Sequence, residues 1–191
     1  KYSTARSKSE IIIEDPNQDI VKMLFVQASS IEHLIWKQIF NLFLFCNAQK
    51  SNNKIEKLIL ENSTNYIENY KQLHAHPELS TQEINTSQFL KTTIKSYGYE
   101  IVDSLGFHSF AAILKNGEGP TLLYRTDMDG LPIKEETNLS FASNAKGVKD
   151  NNEVSIMHAC GHDVHTSCLI GAAKILQETK DEWEGTVKLI F

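Results

Sequence analysis

With 191 residues, 41% hydrophobic and 23% charged, the chain has the length for one domain plus a tail and the composition of an ordinary soluble globular fold. Nineteen Lys and Arg against 24 Asp and Glu, without a concentrated basic stretch, exclude nucleic acid as the expected partner. Three cysteines, Cys46, Cys160 and Cys168, are too few and too unevenly spaced for a disulfide framework, so each is read from its own surroundings.

Residues 1–22 are polar around an Ile11-Ile12-Ile13 patch and show no period, so they predict no element. Residues 39–45 are apolar apart from Asn41, follow Lys37 and precede Cys46-Asn47-Ala48, whose small residues suit a signal-peptidase site. Counted from Met23, residues 23–48 read either as a secretory signal or as a short amphipathic or buried helix, since Glu32 weakens the charged leader. Cytoplasmic and exported locations both stay open, and the apolar run is too short for a membrane span. Ser51-Asn52-Asn53 predicts a linker, which separates a leader or poorly packed segment over residues 1–53 from a folded domain over residues 54–191.

Within that domain, Ile55, Leu58, Ile59, Tyr66, Ile67, Tyr70 and Leu73 recur at helical spacing and predict a long helix to about His74, stopped by Pro77. Ser80-Thr81-Gln82-Glu83 predicts a capping box for a second helix, which carries Ile84, Phe89, Leu90 and Ile94 and ends at Gly98. Residues 99–102, 109–114 and 121–125 read as strands, the last two as a hairpin around Asn116-Gly117-Glu118-Gly119. Residues 165–178 read as a helix and residues 186–191 as a further strand. The predicted class is α/β, a mixed sheet flanked by helices.

The strand over residues 121–125 empties into Thr126-Asp127-Met128-Asp129-Gly130-Leu131-Pro132, and open α/β sheets keep their ligands at that end. Alone, the two carboxylates read as turn formers. His158 to His165 is denser, packing three imidazoles (His158, His162, His165), the Cys160 thiol and the Asp163 carboxylate into eight residues. These are the side chains that hold transition metals. A turn through Gly161 brings Cys160 and His162 to one ion, and the helix amino terminus just beyond favours the thiolate. Asp163 is open to a role orienting the neighbouring imidazole. Cys168 reads as core, His74 as a helix C-terminal dipole contact and His76 as a solvated loop residue.

Three segments together carry a resemblance: Leu73-His74-Ala75-His76-Pro77-Glu78-Leu79-Ser80, Arg125-Thr126-Asp127-Met128-Asp129-Gly130-Leu131-Pro132, and Met157-His158-Ala159-Cys160-Gly161-His162-Asp163-Val164-His165-Thr166. In order and spacing they resemble the metallopeptidase-related amidohydrolase family that includes hippurate hydrolase and the plant auxin-conjugate hydrolases, over residues 55–191. The resemblance implies the N-terminal part of a di-metal catalytic domain that cleaves the amide bond of N-acyl amino acids or similar conjugates. It implies Cys160 and His162 as ligands of two divalent ions (Zn or Mn, with Co or Ni also suited) and Asp127 as a catalytic residue beside them. It also implies a homodimeric full-length protein, and a Glu-Glu pair and further histidines after the last strand. Those groups are not among residues 1–191, so the expectation is an incomplete and inactive fragment. Two other readings stand beside this one: a thiol hydrolase with Cys160 as nucleophile and His158, His162 or His165 as base, and a non-catalytic metal-binding remnant.

Overall fold

The computed structural model describes residues 48–191 except residue 104. The 1–22 reading and all but the last residue of the 23–48 reading lie outside the described residues. Helix α1 spans Ala48–Ala75, α2 Ile84–Ser96 and α3 His162–Glu178, with a 3-10 turn at Lys180–Glu182. The strands are β1 Glu100–Val102, β2 Ala111–Asn116, β3 Thr121–Arg125, β4 Lys146–Lys149, β5 Asn152–Ser155 and β6 Gly185–Ile190. Among the described residues no helix is long and apolar enough to cross a membrane.

The helical periodicity of residues 55–74 is realised, but α1 starts at Ala48 and runs through residues 51–53, where the sequence predicts a linker. Three polar residues do not break a helix that lacks Gly and Pro at that point. The capping box is replaced by a longer-range device. Glu83 occupies the N-cap without a side-chain bond, and the Glu78 carboxylate instead accepts from the amides of Asn85 at 3.1 Å and Thr86 at 2.7 Å. A carboxylate from the preceding loop thus serves the orphan amides and positive end of a helix that starts at Ile84, in place of the bond from the Glu83 amide that Ser80 was expected to accept. At its far end α2 closes as expected, with Gly98 at φ +86° donating to Lys95 O.

The main sheet has the order β1-β2-β6-β3. β2 and β3 therefore do not form a hairpin, which corrects the sequence reading. β6 lies between them, antiparallel to β2 and parallel to β3, with Leu114 opposite Val187 and Leu122 opposite the same residue on the other side. The unit β3-α3-β6 is a parallel crossover of the kind a helix makes. The 117–120 loop spans two strand spacings, about 10 Å, rather than one. β6 enters beneath that loop at Gly185, whose φ is +122° and where a β-carbon would run into the Pro120 carbonyl. β4 and β5 form a separate hairpin through Asp150 and Asn151, both at positive φ.

The core lies between one sheet face and helices α2 and α3. Ala112 and Leu114 of β2 and Val187 and Leu189 of β6 point the same way and meet Leu90, Ile94, Ile170 and Ala173. Burying each large aliphatic side chain there contributes roughly 1.5–3 kcal/mol. Phe110 and Phe191 stack at 4.9 Å and add one more mutual pair of main-chain bonds to the β2-β6 ladder. This packing anchors α3 across the sheet, so its amino terminus stands at the end of the sheet where β3 and β6 finish.

Candidate metal centre

The three segments singled out in the sequence meet at that end. Gly130 N donates to Glu78 O at 2.6 Å, and Leu131 exchanges main-chain bonds with Met157 at 2.8 and 3.0 Å. Gly130 is a close approach: a β-carbon there would stand 2.8 Å from Pro77 Cβ and 2.9 Å from Ile156 Cγ2. The strand-end segment is thus clamped between the Pro77-Glu78 turn and the strand-like run into His158. Thr166, in the second turn of α3, donates to the Asp127 carbonyl at 3.0 Å and fixes the loop against the helix.

The segments bearing Asp127, Cys160 and His162 are therefore adjacent. Cys160 is exposed, just ahead of α3, whose N-cap Gly161 is left-handed at φ +78°. The turn through Gly161 takes the chain from Cys160 into the helix three residues earlier than the sequence predicts. Asp127 is half-exposed and pairs with Arg125.

His162 carries the sharpest geometry. Its Nδ1 faces the Asp129 carboxylate at 2.9 Å and the Asp129 main-chain carbonyl at 3.1 Å. Both atoms only accept, so Nδ1 carries the proton and Nε2 holds the lone pair that a metal would use. The ring is oriented by Asp129, 33 residues away, and not by the adjacent Asp163.

Asp163 is buried and turned to His74, at 2.6 Å from its Nδ1. His74 is also buried, and its Nε2 lies 3.0 Å from Glu135. The sequence reading of His74 as a helix-end contact is thereby corrected; His76, exposed as expected, fills that role by hydrogen-bonding Gln72 O at 2.8 Å. Burial alone would lower the His74 pKa, but the hydrogen bonds it donates to Asp163 and Glu135 outweigh it and raise it above 6.5. Burial would raise Glu135, yet bonds from Thr137, His74 and the Ser143 amide hold it below the usual carboxylate range. Glu135 and the role of His74 were missed in the sequence; the density of polar residues in Leu73-His74-Ala75-His76-Pro77-Glu78 was the available signal.

His158 is buried with 2% of its surface exposed, and both ring nitrogens lack a hydrogen-bond partner among the described residues. Burial pushes its pKa down, so the ring is neutral and its donor capacity is unspent. Cys168 is part-buried on α3, and burial pushes its thiol up to about 11, consistent with a packing role. Among the described residues no three His, Cys, Asp or Glu side chains group closely enough to hold a metal ion. The donor chemistry of Cys160 and an Nδ1-anchored His162 fits a metal that takes further ligands from elsewhere.

A cleft of about 240 Å³ runs beside Asp127 and Asp129 toward Phe107 and His108. A larger depression lies at the opposite end of the sheet, around Asn116 and Lys180, and contains none of the motif residues.

Comparison with known proteins accords with this arrangement. Residues 123–191 match the model of Peptidase family M20/M25/M40. The chain is 43% identical over 122 residues to "N-acetyl-L-cysteine deacetylase" of Bacillus subtilis, covering 63% of this chain and 27% of that protein. It is 40% identical over 139 residues to "N-acyl-L-amino acid amidohydrolase" of Geobacillus stearothermophilus, covering 72% and 35%. Among solved structures it is similar to the Bacillus subtilis YXEP protein, described as a dinuclear metal binding peptidase from the M20 family. The TM-score is 0.59 at 38% identity, over 67% of this chain and 34% of that one. The chain thus spans about a third or less of the length of these relatives. Over residues 123–191, the region that carries Asp127, Cys160 and His162, the chain is thus similar to peptidase family M20/M25/M40, and the same likeness extends to these relatives.

Proposed function

We propose that this chain forms part of the catalytic domain of a metal-dependent amidohydrolase acting on N-acyl amino acids or similar conjugates. The observation that carries the reading is His162, whose Nδ1 is anchored by Asp129 so that Nε2 is presented at the same turn as Cys160. Carboxylate-anchored imidazoles of this kind are typical of metal-ligating histidines. The names of the relatives supply the substrate class, and the dinuclear neighbour supplies the expectation of two divalent ions. A thiolate with an imidazole suits Zn, Mn, Co or Ni, with thiolate softness favouring Zn.

In this reading Cys160 and His162 hold metal, Asp129 orients His162, and Asp127 lies beside the site and polarises or orients the groups around it. When bound, the ions would polarise the scissile carbonyl and make hydroxide available near neutral pH. In the same reading the general base and the remaining ligands are the Glu-Glu pair and histidines that the resemblance implies after β6. The full-length protein is expected to be a homodimer. The test is metal content alongside hydrolysis of an N-acetyl amino acid by full-length protein. Cys160→Ser and His162→Ala should lose both together, while Asp127→Asn should keep most metal and lose turnover by roughly tenfold to a hundredfold. Full activity in metal-free Cys160→Ser protein would sink the metal reading. Activity lost with metal fully retained would favour a thiol nucleophile.

A further inference from the structure

His74 joins three distant parts of the chain. It stands in the last turn of α1, bonds Asp163 at the start of α3 across 89 residues, and bonds Glu135 in the loop between β3 and β4 across 61 residues. Tyr70 and Phe141 enclose its ring, with centroids 5.5 and 5.4 Å away. Glu135 is tied down in turn, accepting the Thr137 hydroxyl and, at 2.5 Å, the Ser143 amide. Since carboxylates only accept, both nitrogens of His74 donate, and a cation sits between two anions with 1% or less of each side chain exposed.

A buried charge cluster of this kind is weak as a source of stability, because desolvation offsets most of the attraction and apolar residues of similar volume do as well. What it supplies is a fixed geometry. Asp163 follows His162 directly and lies three residues after Cys160, in the first turn of α3, so a bond that holds its buried carboxylate also restrains where that turn sits. Asp129 sets the tilt of the His162 ring, but only the placement of that turn decides where the ring and the Cys160 thiol stand relative to one another.

We propose that His74 is a positioning residue of the metal site: acting through Asp163 and braced by Glu135, it holds the Cys160-Gly161-His162 turn in the pose that lets thiolate and imidazole face one ion. This rests on the metal reading above. The experiment uses full-length protein stripped of metal and titrated with Co²⁺. It reads affinity by competition with a chelator and the thiolate-to-cobalt absorption band that reports the Cys160 bond, with thermal stability of the metal-free form alongside. His74→Gln should weaken Co²⁺ binding about tenfold and shift the band, at the low end of the range for residues that act on a ligand from behind. Glu135→Gln should move both in the same direction by less. Leu90→Ala, a core change on α2 far in sequence from the site, should lower stability and leave affinity and band unchanged. If His74→Gln does not fold, Glu135→Gln decides the matter. Folded variants that bind and absorb as the parent does would overturn the proposal, as would a Leu90→Ala protein whose affinity falls in step with its stability. Parent protein that binds no cobalt, or a Cys160→Ser variant that keeps the band, would overturn the metal reading and the proposal with it.

Discussion

Asp129→Ala removes the nearer of two acceptors on His162 Nδ1, the carboxylate at 2.9 Å, and leaves the main-chain carbonyl at 3.1 Å. The ring keeps one anchor and its tautomer, so the effect should fall at the mild end of the tenfold to hundredfold range for such partners. About tenfold in metal affinity, or ~1.4 kcal/mol, is expected. With side-chain exposures of 16% and 20%, the pair is partly screened by water, which also argues against the larger figure. Asp129→Asn keeps an oxygen that can accept the Nδ1 proton and loses only the charge, so its loss should be smaller, roughly twofold to threefold. The assay is competition with a chromophoric chelator at fixed pH and salt, using full-length protein and His162→Ala as the reference for a lost ligand. An Asp129→Ala protein with parental affinity beside a His162→Ala protein that has lost it would refute this account of how the ring is oriented.

Gly185→Ala should destabilise the fold by about 3 kcal/mol, combining left-handed strain with a β-carbon driven into backbone, its next contacts being Pro120 N at 3.2 Å and Gly119 C at 3.3 Å. Urea unfolding reads it, and a change below roughly 1 kcal/mol would show that the 117–120 loop yields freely. The His74 cluster should also make stability depend on pH. The folded pKa of His74 is raised, so its contribution is complete below 6.5 and is lost as pH rises through the raised value. That of Glu135 is lowered, so its contribution is present above 4.5 and is lost as pH falls through the lowered value. His158, with a lowered pKa, acts against stability as pH falls below 6.5, so the quantity to compare is the difference between parent and His74→Gln. That difference should be largest between about 4.5 and 6.5 and shrink above. A difference that grows on raising the pH from 6.5 to 9 would contradict the cation at His74.

The helices and most strands were legible in the sequence because their signals are local. A 3.6-residue apolar period and short β-branched runs report on neighbours within a few positions, and α1, α2, α3 and β6 follow them to within a few residues, apart from the early start of α1. The Cys160-Gly161-His162 segment stands out in the sequence for the same reason, since a thiol and an imidazole lie within one turn of chain. What only the tertiary structure decided are pairings across long separations. Periodicity cannot tell that β6 prefers the gap between β2 and β3 to an outer edge, because the choice depends on the α3 crossover and the apolar faces it covers. Nor can it tell that Asp129 rather than Asp163 orients His162, or that His74 is a buried cation between Asp163 and Glu135. A carboxylate bonds whichever donor the packed backbone brings within 3 Å, and that backbone is set by the core as a whole rather than by the residues beside it.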